Sequence, residues 1–194
     1  MHWSAWTARL ALVSAFAIAS PSAAQSPPAG VNPTGAAVLA FQKRVADYVK
    51  VHRQADGKVP SLAETNDPAK ISEREVALGE AIRALRSGAQ PGDVFCEEVR
   101  PVLIKVIHDD FAKRSAMDRK ALVQELPAKM ALTVNMTYPS KLPLATVPAK
   151  LLRALPDLPP ELEYRIVGRS LLLRDVKANI VVDFVRDAVP TIPS

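Results

Sequence analysis

The sequence predicts an α+β protein in which several N-terminal helices pack against a small C-terminal antiparallel β-meander. Three observations predict it. Between residues 36 and 130, Ala-rich segments carry apolar side chains at steps of three and four, the spacing of one helical face. From Pro127 the texture changes: nine prolines, Pro127 among them, fall before the C-terminus, and β-branched residues replace the Ala-rich pattern. Residues 161–185, "ELEYRIVGRSLLLRDVKANIVVDFV", then divide into three short apolar runs separated by turn residues.

The chain opens with "MHWSAWTARLALVSAFAIASPSAAQ", a positive start at Arg9 followed by an apolar run from Leu10 to Ala19. That run is shorter than the roughly 20 residues a bilayer span needs. Small residues Ser22, Ala23 and Ala24 follow it, so the segment reads as a signal peptide (1–24) cleaved near Ala24, and the mature chain as periplasmic or secreted. No later run is apolar enough to cross a membrane. Residues 25–35, "QSPPAGVNPTG", read as a flexible leader.

In the helical region, 36–130, the first helix places Val38, Phe41, Val45, Tyr48 and His52 on one face, closed by Gly57 and Pro60. The second runs through "DPAKISEREVALGEAIRALRSG", with Asp67 as cap, Pro68 in the first turn, Gly88 as stop and Ile71, Leu78, Ile82 and Leu85 as the buried stripe. A third is expected from "GDVFCEEV", with Asp93 as cap and Glu97 and Glu98 near its positive end. Pro101 either kinks that helix or starts a new one, and "PVLIKVI" alone fits a strand as well. "SAMDRKALVQEL" is a further short helix.

The remaining region, 131–194, is expected to form one compact unit with the helices. "ALTVNMTYP" reads as a strand, "VPAKLLRAL" as a short helix and "PDLPPE" as a rigid connector. "LEYRIV", "SLLLRDV" and "IVVDFV" make the meander, turning at Gly168-Arg169 and at Lys177–Asn179, with one face on the helices and Arg165, Arg169, Arg174, Asp175 and Asp183 facing outward.

Composition excludes several classes of function. The formal charge is +5, with 25 basic and 20 acidic residues distributed along the whole chain, and aromatics are only 5%. A nucleic-acid binder clusters its cations and supplies aromatics for stacking, so no nucleic-acid partner is expected. The single cysteine, Cys96, cannot form an intrachain disulfide and reads as a buried, inert thiol.

The series "PLATVPAKLLRALPDLPPELEYRIVGRSLLLRDVKANIVVDFV", with the "GDVF" opening and the helix after it, resembles the C-terminal part of a family of uncharacterised exported bacterial proteins. The resemblance implies export and a shared fold, and brings no known activity. A shorter resemblance, to RcnB-like periplasmic proteins associated with nickel and cobalt homeostasis, rests on Tyr164, Arg165, Val167, Gly168, Leu172, Leu173, Asp175, Ile180, Val181 and Asp183. It implies an accessory role in metal homeostasis. Lys177–Asn179 departs from that pattern, which has Gly before the last strand.

Candidate chemistry is sparse. "HDD" at His108, Asp109 and Asp110 is the one place where a histidine adjoins carboxylates, the starting point for an envelope hydrolase. Consecutive helical side chains diverge by about 100°, so Asp109–Lys113 and Asp110–Arg114 ion pairs on a solvated face account for it better. His52 and His108 could hold a transition metal if the fold brought them together with a carboxylate; otherwise no cofactor is expected. No G-x-S-x-G, Cys/His pair or Gly-rich phosphate loop is present, so an enzyme is not favoured. The reading that remains is a non-catalytic binding or interaction module of the cell envelope. Its partner would be an envelope protein or polymer, docking on the meander's polar face or edge, with Arg165 and Arg169 as the binding residues.

Overall fold

The computed structural model describes residues 32–126, 130–139 and 147–191, and residues from Asn32 onward form one compact unit. The expected signal segment and the leader up to residue 31 lie outside the described residues. In chain order the elements are helices α1 (Pro33–Asp56), α2 (Pro68–Leu85), α3 (Arg100–Ala112), α4 (Ala116–Glu125) and α5 (Ala149–Leu152), then strands β1 (Leu162–Val167), β2 (Ser170–Asp175) and β3 (Ile180–Val185). The α+β class is thus as expected.

α1 begins inside the expected leader, because Asn32 caps it by accepting from Thr34 N at 3.0 Å and Pro33 fits a first helical turn. Its stripe of Phe41, Val45, Tyr48 and His52 is buried. α2 is capped by Asp67, which accepts from Ala69 N, and ends at Leu85, three residues before Gly88. Leu78 and Ile82 of its stripe are buried, but Ile71 stays 47% exposed.

The third helix starts later than "GDVF" suggested. Residues 91–99 form turns, with Asp93 accepting from Gln90 N and Gly92 at φ 99°, and α3 begins at Arg100 with Pro101 in its first turn. The amides of this loop find a partner outside any helix, described below, so it has no need to coil. "PVLIKVI" is therefore helical. A Cβ on Gly92 would displace the Arg100 guanidinium, and it would sit at a backbone angle that side chains rarely adopt. Gly92→Ala is expected to cost about 2–3 kcal/mol, read as a lowered urea midpoint.

The three strands pair antiparallel in the order β1-β2-β3, with Gly168 (φ 56°) and Asn179 (φ 49°) supplying the left-handed turn positions. The expected strand near Val134 reduces to one bridge, Thr137 to Ile180. Flanking backbone bonds from Asn135, Met136 and Tyr138 run it along the outer edge of β3. β1 forms the other edge; its residues Tyr164, Ile166 and Val167 are no more than 4% exposed, while Glu163 and Arg165 are half-buried.

The larger correction concerns the sheet's second face. Its helix-facing side joins a core that includes Phe41, Leu78, Phe95, Leu103, Phe111, Leu171 and Leu173. Its other side is no solvated surface: Val167, Leu172, Val181 and Phe184 pack there against Leu132 and Tyr138. Covered on both faces, the sheet buries Arg174, Asp175 and Asp183 rather than turning them outward. A bulge fixes where Asp183 goes. Leu173 pairs with Asp183 and Arg174 with Val181, so Val182 is inserted and Asp183 shares the helix-side face of Leu173.

Candidate functional site

Asp175 ends β2 with no solvent exposure, and its two oxygens hold two different parts of the chain. Oδ2 accepts from the Tyr48 hydroxyl at 2.7 Å and lies 2.6 Å from His52 Nδ1, while Oδ1 accepts from the amides of Lys177 and Ala178. A carboxylate oxygen only accepts, so His52 presents an Nδ1–H to Oδ2. The spacing of Tyr48 and His52, one turn apart on α1, presents both to one carboxylate. Such an Asp–His pair also orients catalytic imidazoles, but a nucleophile would have to bond His52 Nε2, and among the described residues the bond to Asp175 is the one hydrogen bond the His52 ring makes; the residue is only 2% exposed. The arrangement pins α1 to the β2–β3 turn.

Asp183 is the partner of the 91–99 loop. It accepts from the amides of Gly92, Val94 and Phe95 at 2.7–3.1 Å and from Phe184 N at 2.8 Å. A carboxylate of the chain itself thereby fills a nest of backbone donors of the kind that elsewhere holds anions. Between the two aspartates lies Arg86, which donates to Asn135 Oδ1 and Val182 O and covers the Tyr48 ring at 5.1 Å. Burial pushes its guanidinium below the ordinary arginine value, opposed by Tyr48 and by the Asp183, Asp93 and Asp175 charges.

On the opposite face Arg174 donates to Asn179 Oδ1 and to Glu163, and Arg165 grips the same Glu163 through two bonds. Burial works to raise the Glu163 carboxyl, but these arginines outweigh it and hold it below the usual carboxylate range. Arg169, in the β1–β2 turn, donates to Val189 O and pairs with Asp187 at 3.0 Å. Both arginines expected to bind a partner are thus engaged within the chain.

His52 and His108 are differently placed: His52 is buried against Asp175, whereas His108 is exposed on α3. Among the described residues no group of three or more His, Cys, Asp or Glu side chains is arranged to hold a metal ion. The neighbouring aspartates do not converge on His108. Asp110 is buried and bonded to Arg114 as expected, but Asp109 pairs back to Lys105 at 2.7 Å rather than forward to Lys113. Cys96 is buried, and burial followed by its bond with Glu98 raises its thiol, as expected of an inert cysteine.

The chain's three tyrosines share one property. Burial raises each phenol above its ordinary value, reinforced by the Asp175 charge at Tyr48 and by Asp157 at Tyr164, and only partly offset by Arg165 and Arg174 at Tyr138. A raised folded value means the stability is complete below the unfolded value of about 10 and declines as pH rises above it. Alkaline titration should therefore show no tyrosinate absorbance in the folded protein near pH 10, and a cooperative rise together with loss of circular dichroism. A tyrosine ionising while the fold persists would contradict this.

One surface groove was not expected from sequence. A groove of about 440 Å3 is lined by Asp56, Ser61 and Leu62 after and at the end of α1, by Ile71, Arg74, Glu75 and Leu78 of α2, and by Val176 and Lys177 of the β2–β3 turn. Leu62, Ile71 and Val176 are 38%, 47% and 40% exposed. Asp175, by capping Lys177 N and Ala178 N, shapes the turn that forms one wall. Gly79 lets α2 approach this turn: an added Cβ would stand 3.2 Å from Ala178 O. Arg74 donates to Asp56 at 2.7 Å and leaves its buried Nη1 without an acceptor. Comparison with protein-family models, curated proteins and solved structures found no match to this chain.

Proposed function

We propose that this chain is an exported, non-catalytic binding module of the cell envelope, whose partner docks in the groove between α2 and the β2–β3 turn. The observation that carries the reading is Ile71. It repeats in register with Leu78 and Ile82 as a core residue, yet stands exposed in a groove that two further exposed aliphatic side chains line. A position where the local pattern says core and the fold says surface is where function is to be sought. The buried ionisable groups support a non-catalytic role, because His52, Asp175, Asp183 and Arg86 are already bonded within the chain. Export rests on the signal-like first 24 residues.

The test is selection of binders from a displayed random-peptide library on the purified protein, followed by Ile71→Glu. A glutamate at this exposed first-turn position should leave the thermal midpoint within a degree or two and weaken the selected binders at least about tenfold, the loss of one buried aliphatic contact. Binders that tolerate Ile71→Glu would place the docking surface elsewhere.

A further inference from the structure

The two walls of the groove at Ile71, α2 and the β2–β3 turn, come together at Gly79. A Cβ built there would stand 3.2 Å from Ala178 O and 3.4 Å from Ile180 Cγ2, closer than a side chain sits comfortably, so a substitution drives the two elements apart by a few tenths of an ångström. The turn is the better braced of the two. Asp175 takes the amides of Lys177 and Ala178, Glu75 takes Asn179 Nδ2 at 2.9 Å, and the amide of Tyr138 donates to Asn179 O at 2.8 Å. The first two turns of α2, residues 68–73, are exposed throughout. Extra bulk at position 79 therefore moves the Ile71 end of α2 away from Val176 and Lys177.

The lining says what the groove accepts. Leu62, Ile71, Leu78 and Val176 are all aliphatic, and around them Asp56 and Glu75 balance Arg74 and Lys177. A segment of a partner protein fits when it brings one aliphatic side chain and little net charge, because an excess of either sign would meet its like. Given the docking function proposed above, on which this role rests, we infer that Gly79 determines the specificity of the groove. By letting α2 lie against the turn, it sets the distance between the aliphatic walls, and so the size of the side chain they grip. The setting is sensitive: a gap of about 0.5 Å already forfeits roughly a quarter of the attraction of a contact.

The test takes the tightest peptide selected on the purified protein and remakes it with Val, Leu and Phe in turn at its aliphatic anchor. Affinities are compared for the wild type, Gly79→Ala and Gly88→Ala; Gly88 has open space where its Cβ would stand, and so controls for an added methyl. Alanine is the better helix former, which offsets part of the strain at position 79. On the wild type the aliphatic anchors should bind best. In Gly79→Ala the ratio of Phe to Val affinity should rise at least about threefold, the wider gap costing the small anchor contacts and admitting the large one. Gly88→Ala should leave that ratio unchanged. Equal weakening of all three anchors in Gly79→Ala would make the residue merely structural and overturn its role, with docking at Ile71 intact. So would a Gly79→Ala protein that does not fold, since α2 and the turn could then not part at all. Selected peptides that tolerate Ile71→Glu would instead remove the docking function, and the role of Gly79 with it. Enrichment of strongly charged peptides lacking an aliphatic anchor, or a second copy of the chain that blocks the peptides in sedimentation, would assign the groove another occupant and overturn it as well.

Discussion

Asp175→Ala is expected to lower the folding free energy by about 3–5 kcal/mol, the range for removing one partner of a buried charged network. The deletion leaves four donors behind. Tyr48 Oη, His52 Nδ1 and the amides of Lys177 and Ala178 all lose their acceptor, and all but the Lys177 amide belong to buried residues. Tyr48→Phe is the natural comparison, because it removes a single hydroxyl and keeps the ring beneath Arg86; it should cost about 1 kcal/mol. Urea titrations of the two variants decide the matter. A loss below about 1 kcal/mol for Asp175→Ala would show that water or a rearranged turn replaces the carboxylate, and that α1 is not pinned there.

Asp183→Asn should be almost as damaging, at about 3 kcal/mol, although it changes the side chain's shape very little. The amides of Gly92, Val94, Phe95 and Phe184 all converge on the carboxylate. An asparagine can offer them one acceptor oxygen, and its amino group must face donors. Removing the charge also withdraws part of what offsets the burial of Arg86. The effect should be visible locally. Cys96 sits in the loop that Asp183 holds, so its thiol should react with a disulfide reagent much faster in Asp183→Asn than in Tyr48→Phe at matched stability. Equal labelling rates would mean that the loop stands without the carboxylate.

The sheet was the most legible part of the sequence. Short apolar runs, alternating in "LEYRIV", and the turn residues Gly168 and Asn179 located all three strands, because these signals are local. The helices were nearly as legible, apart from the start of α3, where a plausible cap at Asp93 concealed that the loop's amides belong to Asp183. Burial of the strand charges was not legible. Alternation tells which residues share a face, but that a loop from 130 to 138 covers the second face depends on contacts that no local pattern encodes. The candidate sites divide the same way. His52 was picked out by its place on the α1 stripe, yet its partner lies 123 positions away. Arg165 and Arg169 were chosen as exposed donors, and the fold gives both internal acceptors. The groove at Ile71 exists only in three dimensions, although Ile71 could have been flagged as the outermost residue of its stripe, one turn from the helix start.

The two buried aspartates have a consequence for how the chain is made. Each is near the C-terminus and completes an element synthesised much earlier: Asp175 closes on α1 across 127 positions and Asp183 on the 92–95 loop across 88. A growing chain exposes its N-terminal end first. Until β2 and β3 emerge, α1 carries a histidine and a tyrosine on its apolar stripe without the carboxylate that receives them, and the loop's amides lack the anion they gather round. The last two strands, β2 with Asp175 and β3 with Asp183, therefore supply contacts that the earlier elements cannot complete alone. A product cut short before Asp175 forfeits both fastenings together, and the unfinished chain stays open to proteolysis instead of persisting as a truncated but folded fragment.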